Sequence, residues 1–188
     1  MAQYDVRVPG DSLIEHLRTH ALRTDGPFTL RSGLVTSWYL DARQTTFSGD
    51  GAWLVGEAVL NVVDPSAGAI GGMTMGADPI AVATAMVAAD HGRVLSAFSI
   101  RKTAKNHGTG GRVVGPVTPG TRVVILEDTT TTGGAAIEAT DAATAEGLHV
   151  IQVVALVDRS GDQAADAFAS RGIPYVALVV PSDLGVGG

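Results

Sequence analysis

The sequence predicts an α/β fold: a mainly parallel twisted sheet flanked by helices, behind a small N-terminal hood of helix and hairpin. Three observations carry that expectation. Val123, Val124, Ile125 and Leu126 form an unbroken apolar run, three of the four β-branched, which marks a strand buried on both faces. Apolar runs of strand length at 94–100, 150–157 and 175–180 alternate with proline-free stretches at 135–145 and about 161–171. That alternation calls for helices crossing between parallel strands. At 188 residues and 45% hydrophobic content the chain can bury one sizeable core, so a single domain over 1–188 is expected. Residues 1–48 would form the hood and 49–188 the core.

Taken in order, Ser12-Leu13-Ile14-Glu15 has the spacing of a capping box, which predicts a first helix running to about Arg23, before Gly26. Between Phe28 and Arg43 the chain alternates and breaks at Ser32-Gly33, as a short hairpin carrying Trp38 and Tyr39 as packing aromatics would. A helix over about 51–63 ends before Asp64-Pro65. A short apolar stretch then leads into a glycine-rich turn, Gly71-Gly72-Met73-Thr74-Met75-Gly76. Asp78-Pro79 supplies an N-cap and a preformed first turn for a helix to about Ala89.

Thirteen basic against nineteen acidic side chains leave a net charge of −6, which argues against nucleic acid or an anionic membrane as partner. With no cysteine, disulfides and thiolate metal sites are excluded. The N-terminus carries Asp5 and Arg7 without an apolar signal core, and every apolar run is shorter than a membrane span. A soluble, cytoplasmic protein is expected.

The strand 123–126 ends in Glu127 and Asp128, then Thr129 to Thr132, Gly133 and Gly134. Orphan N–H groups at the start of the following helix, with the positive end of its dipole, favour a phosphate in that loop. The two carboxylates would repel the phosphate, so they are expected to accept from neutral hydroxyls, as on a ribose, or to neighbour a metal ion. The ordinary alternative is a capped βα connection, but a cap needs one hydroxyl, and here four threonines precede two glycines. A Walker P-loop is excluded, because no lysine follows the glycines.

The segment 101–112 holds five of the chain's eighteen Lys, Arg and His side chains: Arg101, Lys102, Lys105, His107 and Arg112. A solvated surface loop is one reading. The functional one is a lid that closes over an anion and neutralises charge developing on a leaving group. The other four histidines are read as surface or packing residues.

On these residues the chain resembles the type I phosphoribosyltransferases, and within them the orotate-using members of actinobacterial type. The match rests on the diphosphosugar signature Leu126 to Gly134, on Arg101-Lys102-x-x-Lys105-x-His107-Gly108, and on Asp158-Arg159. It spans about residues 35–183. The resemblance implies Mg2+-dependent transfer of a phosphoribosyl group from phosphoribosyl diphosphate to orotate, giving orotidine 5′-monophosphate and diphosphate in pyrimidine biosynthesis. Thr129, Thr130, Thr131, Thr132 and Gly133 would cradle the 5′-phosphate, and Glu127 and Asp128 would hold the ribose hydroxyls. The Gly71–Gly76 turn and Arg101, Lys102, Lys105 and His107 would surround the diphosphate. Arg31, Thr131 and Arg159 would bind orotate. Lys105, His107 and Asp128 would bear most on catalysis. The magnesium ion would be held by substrate oxygens, with no protein side chain assigned to it. A homodimer exchanging lids between subunits is also implied. The enterobacterial form has lysines where Met75 and Arg31 stand, and Tyr39 and Leu40 stand where the family often lines the base with an aromatic pair. Transfer to another base, or a non-catalytic phosphoribosyl-diphosphate sensor, are the rival readings.

Overall fold

The computed structural model describes residues 10–29, 33, 35–104 and 111–187. Arg31, Lys105 and His107 fall outside these residues. Helix α1 (Asp11–His16) continues as a π-helical turn to Ala21. Strands β1 (Leu22–Arg23), β2 (Phe28–Thr29), β3 (Val35–Thr36) and β4 (Tyr39–Leu40) form two antiparallel pairs, β1 with β4 and β2 with β3. Helices α2 (Arg43–Thr46) and α3 (Gly49–Leu60) complete the hood side. The core runs β5 (Ala69–Met73), α4 (Ala77–Asp90), β6 (Ser96–Ile100), β7 (Val113–Val114), β8 (Arg122–Thr130), α5 (Gly134–Ala145), β9 (His149–Asp158), α6 (Gln163–Ala169) and β10 (Tyr175–Val179). Its six strands lie in the order β10-β9-β8-β5-β6-β7, all parallel except the short edge strand β7.

The unbroken apolar run follows from this layering. Val124 and Leu126 face a core shared with Val55 and Val59 of α3 and Ile80 of α4. Val123 and Ile125 face the opposite core with Ala136, Ala139 and Ala143 of α5 and Phe168 of α6. Successive residues of a strand point to opposite faces, so a sheet covered on both sides needs apolar residues at every position. From the central pair β5 and β8, the chain steps outward to β6 on one side and to β9 and β10 on the other. The carboxyl ends of β5 and β8 are therefore the switch point at which such sheets bind ligands. Among the described residues no helix is long and apolar enough to cross a membrane.

Several expected boundaries move. Helix α1 begins at Asp11 with Gly10 as its N-cap and no side-chain cap, so Ser12 and Glu15 form no capping box; Glu15 instead accepts from Thr19 Oγ1 at 3.3 Å. The helical run also stops at Ala21, because Leu22 and Arg23 are taken up in pairing with Leu40 and Tyr39. Gly71 and Gly72 belong to the buried strand β5 and not to a turn. A Cβ on Gly71 would fall 2.0 Å from the Phe98 carbonyl oxygen, and one on Gly72 would fall 2.1 Å from that of Leu126. These glycines let three central strands approach closely. Helix α4 is capped by Gly76; Asp78 sits inside its first turn and accepts from Thr74 Oγ1 at 2.6 Å. Strand β8 runs on to Thr130, because Thr129 and Thr130 keep pairing with Val157 and Asp158.

Candidate functional site

A cleft of about 400 Å3 opens at the switch point, lined among others by Tyr39, Arg43, Thr74, Gly76, Lys102, Glu127, Asp128 and Thr129. Each wall has a local cause. Strand β8 carries Glu127 and Asp128 to its carboxyl end. The turn after β5 brings up Thr74, Met75 and Gly76, and the hood contributes Tyr39 and Arg43, the latter fixed by Asp41 at 2.7 Å.

Asp128 accepts the backbone N–H of Thr129 at 2.7 Å. Glu127 lies deeper. Its Oε2 is buried without a partner, and burial first, then the neighbouring charge of Asp128, push its carboxyl up to about 8. Burial and the adjacent carboxylate therefore favour the protonated form of Glu127. That state can both accept from and donate to sugar hydroxyls.

The loop after β8 is shorter than the sequence suggested. Thr131 and Thr132 are exposed, and Thr132 Oγ1 accepts Gly134 N–H at 3.4 Å. Gly133 has φ +79°, a left-handed turn that suits glycine, and delivers the chain into α5. The first turn of α5 bears no acidic side chain, so its open N–H groups face the loop without a competing anion. Thr130 differs from its neighbours: it is 2% exposed, and its hydroxyl is turned into the interior. Thr129 is half-buried, and Thr131 and Thr132 are exposed in the loop.

Arg159, directly after the carboxyl end of β9, lies with its guanidinium 4.0 Å over the ring of Trp38. Partial burial lowers Arg159 from its ordinary value, yet an arginine stays charged. Trp38, expected only to pack, thus forms one half of a cationic platform. The local sequence gave no sign of this, because the partners come from the hood and the β9 end. Lys102 reaches the cleft, whereas the Arg112 side chain is engaged at the base of its segment. Its Nε donates to the Arg101 carbonyl at 2.8 Å and its Nη2 to Glu138 at 2.5 Å, tying the base of the 101–112 segment to α5. Arg101 itself pairs backbone to backbone with Arg112.

No family model matches the chain. Among curated proteins it is 42% identical to the orotate phosphoribosyltransferase of Rhodopirellula baltica, covering 93% of both chains. It is 41% identical to that of Streptomyces avermitilis, covering 93% of this chain and 96% of the relative. Among solved structures it resembles Mycobacterium tuberculosis orotate phosphoribosyltransferase in complex with Fe(III) dicitrate, with a TM-score of 0.80 and 34% identity over 93% of this chain and 98% of that one. The same enzyme in complex with 5-phospho-alpha-D-ribosyl 1-diphosphate gives a TM-score of 0.76 at 32% identity over 93% and 98%.

Proposed function

This chain belongs to the orotate phosphoribosyltransferase family, and from that membership we propose that it transfers the phosphoribosyl group of phosphoribosyl diphosphate to orotate, with magnesium, yielding orotidine 5′-monophosphate and diphosphate. The observation that carries the reading is the switch-point cleft. An acidic pair lies beside a helix N-terminus and its glycine-turned loop, and at the end of the neighbouring strand β9 Arg159 stacks on Trp38.

Each part has a task in the proposed reaction. The N–H groups of α5 with Thr129, Thr131, Thr132 and Gly133 hold the 5′-phosphate. Glu127 and Asp128 hold the ribose hydroxyls. The turn Thr74 to Gly76 and Lys102 hold the diphosphate, with Lys105 and His107 supplied by the lid. Arg159, with Arg31 and Thr131, faces orotate and its carboxylate. The bond from C1 to diphosphate breaks as a ring nitrogen of orotate, reacting as its anion, supplies the electron pair of the new bond; diphosphate leaves with the old pair. Positive charge grows on the sugar and negative charge on the leaving group, so fixed carboxylates and cations lower the barrier more than any proton transfer.

Among the described residues no group of three or more His, Asp or Glu side chains could hold a metal. In this proposal a magnesium ion would be held mainly by substrate oxygens and would supply charge neutralisation at the leaving group. A homodimer is part of the proposal. Phe47 and Met75, 59% and 56% exposed, flank the cleft beside Arg43 and Gln44, an apolar rim suited to a second copy that brings its Lys105 and His107.

Purified protein with orotate, phosphoribosyl diphosphate and magnesium should form orotidine monophosphate. Consumption of a purine or of uracil in place of orotate would assign a different base. Binding of phosphoribosyl diphosphate with no product from any base would leave only a sensor.

A further inference from the structure

The turn after β5 carries no cation of its own. Thr74, Met75 and Gly76 line the cleft, and Met75 is apolar and exposed. The one polar side chain, that of Thr74, is already engaged: its Oγ1 donates to Asp78 Oδ2 at 2.6 Å. The turn can therefore meet an anion only through main-chain N–H groups, and such donors hold a ligand only as well as they are placed.

Three contacts fix that placement. The Thr74 N–H donates to the Ile100 carbonyl at 2.8 Å, which joins the turn to the end of β6. Gly76 lies against the Asp128 carboxylate. The bond from Thr74 to Asp78 closes the turn onto the start of α4, and of the three it is the one made by side chains. A hydroxyl donating to a carboxylate at this length is a strong, charge-assisted bond, and an anionic side chain is favoured in the first turn of a helix. The other oxygen, Asp78 Oδ1, is buried without a partner, so the carboxylate is drawn out of water for the sake of one bond. A helix start at this edge of the sheet does not require that: α5 begins with no acidic side chain in its first turn.

We infer that Asp78 is a positioning residue for the diphosphate end of the substrate: by holding the Thr74 hydroxyl it fixes the Thr74–Gly76 backbone beside Asp128, in the geometry that receives the leaving group. Asp78 itself touches no substrate. The inference rests on the proposed function for the identity of the ligand.

Charge and position predict opposite signs. Were Asp78 only a nearby negative charge, its removal would tighten the binding of a diphosphate; as a positioning residue, its removal weakens it. Calorimetric titration of the protein with inorganic diphosphate and magnesium reads the sign. Asp78→Ala and Thr74→Val, which break the bond from either side, should each weaken binding about tenfold, the weight of roughly one charged hydrogen bond. The double variant should be no weaker than either single one, because both remove the same bond. Asp78→Asn keeps an acceptor and Thr74→Ser keeps the donor, so both should stay within about threefold of the parent. KM for orotate should change by less than about twofold throughout. Tighter or unchanged diphosphate binding in Asp78→Ala and Thr74→Val, beside a parent that binds, overturns the positioning role and leaves the proposed function standing. So does a parallel rise in KM for orotate with a lowered melting temperature, the mark of general loosening. A parent with no affinity for diphosphate or phosphoribosyl diphosphate overturns both.

Discussion

The Asp128 carboxylate occupies the space that a side chain on Gly76 would need: a Cβ there would lie 2.6 Å from Asp128 Cγ. The Thr74–Gly76 turn and the Asp128 carboxylate are thus in contact. Gly76→Ala should push them apart. Overpacking of about 2 kcal/mol corresponds to roughly thirtyfold weaker binding of phosphoribosyl diphosphate, with secondary structure retained. Calorimetric titration beside circular dichroism checks both halves.

Asp128→Asn keeps the size of the side chain and removes its charge. Loss of one such electrostatic contact is worth about 3 kcal/mol, so turnover should drop by roughly two orders of magnitude while the melting temperature changes little. Near-normal turnover would return the acidic pair to a structural role.

The raised Glu127 carboxyl makes stability depend on pH. Folded protein keeps a proton up to about 8 that the unfolded chain gives up near the ordinary value of 4.5. Between those values the unfolded state binds fewer protons, so stability falls as pH rises and levels off above about 8. Urea denaturation across pH 5 to 9 should show this slope in the parent and lose it in Glu127→Gln. Matching slopes in the two proteins would mean Glu127 is ionised throughout.

Arg159→Lys retains the charge but loses the planar stack on Trp38. KM for orotate should rise by about one to two orders of magnitude, with that for phosphoribosyl diphosphate little changed. Steady-state kinetics with each substrate varied in turn reads the difference.

Lid exchange across a dimer has a complementation signature. Mixed Lys105→Ala and Asp128→Asn subunits, each inactive alone, should recover part of the parent activity, because one site per mixed dimer has both intact halves. No recovery despite verified subunit exchange would place the lid in its own subunit's site.

How much of this was legible in the sequence depended on whether the signal was local. The run Val123 to Leu126 announced a doubly buried strand because layering imposes apolar residues at consecutive positions, and Gly133 marked its turn by residue type alone. Gly71 and Gly72 misled because glycine signals a turn and a close strand contact equally well; only the positions of Phe98 and Leu126 separate the two. Trp38 and Arg159 meet across more than a hundred residues, so no window of sequence contains the pair. Arg112 looked like part of a charge cluster, although its acidic partner Glu138 is in the next helix, α5, beyond β7 and β8.

The sheet also keeps its chemistry at one end. Arg122, where β8 begins, is six residues from Asp128, roughly 20 Å along the strand. The turn of Thr118 to Thr121 before it is closed by its own hydrogen bonds, Thr121 N–H to the Thr118 carbonyl at 3.0 Å among them. That far turn is the natural place for a surface tether or a reporter dye, since an attachment there leaves the reacting end of the molecule free to face solvent.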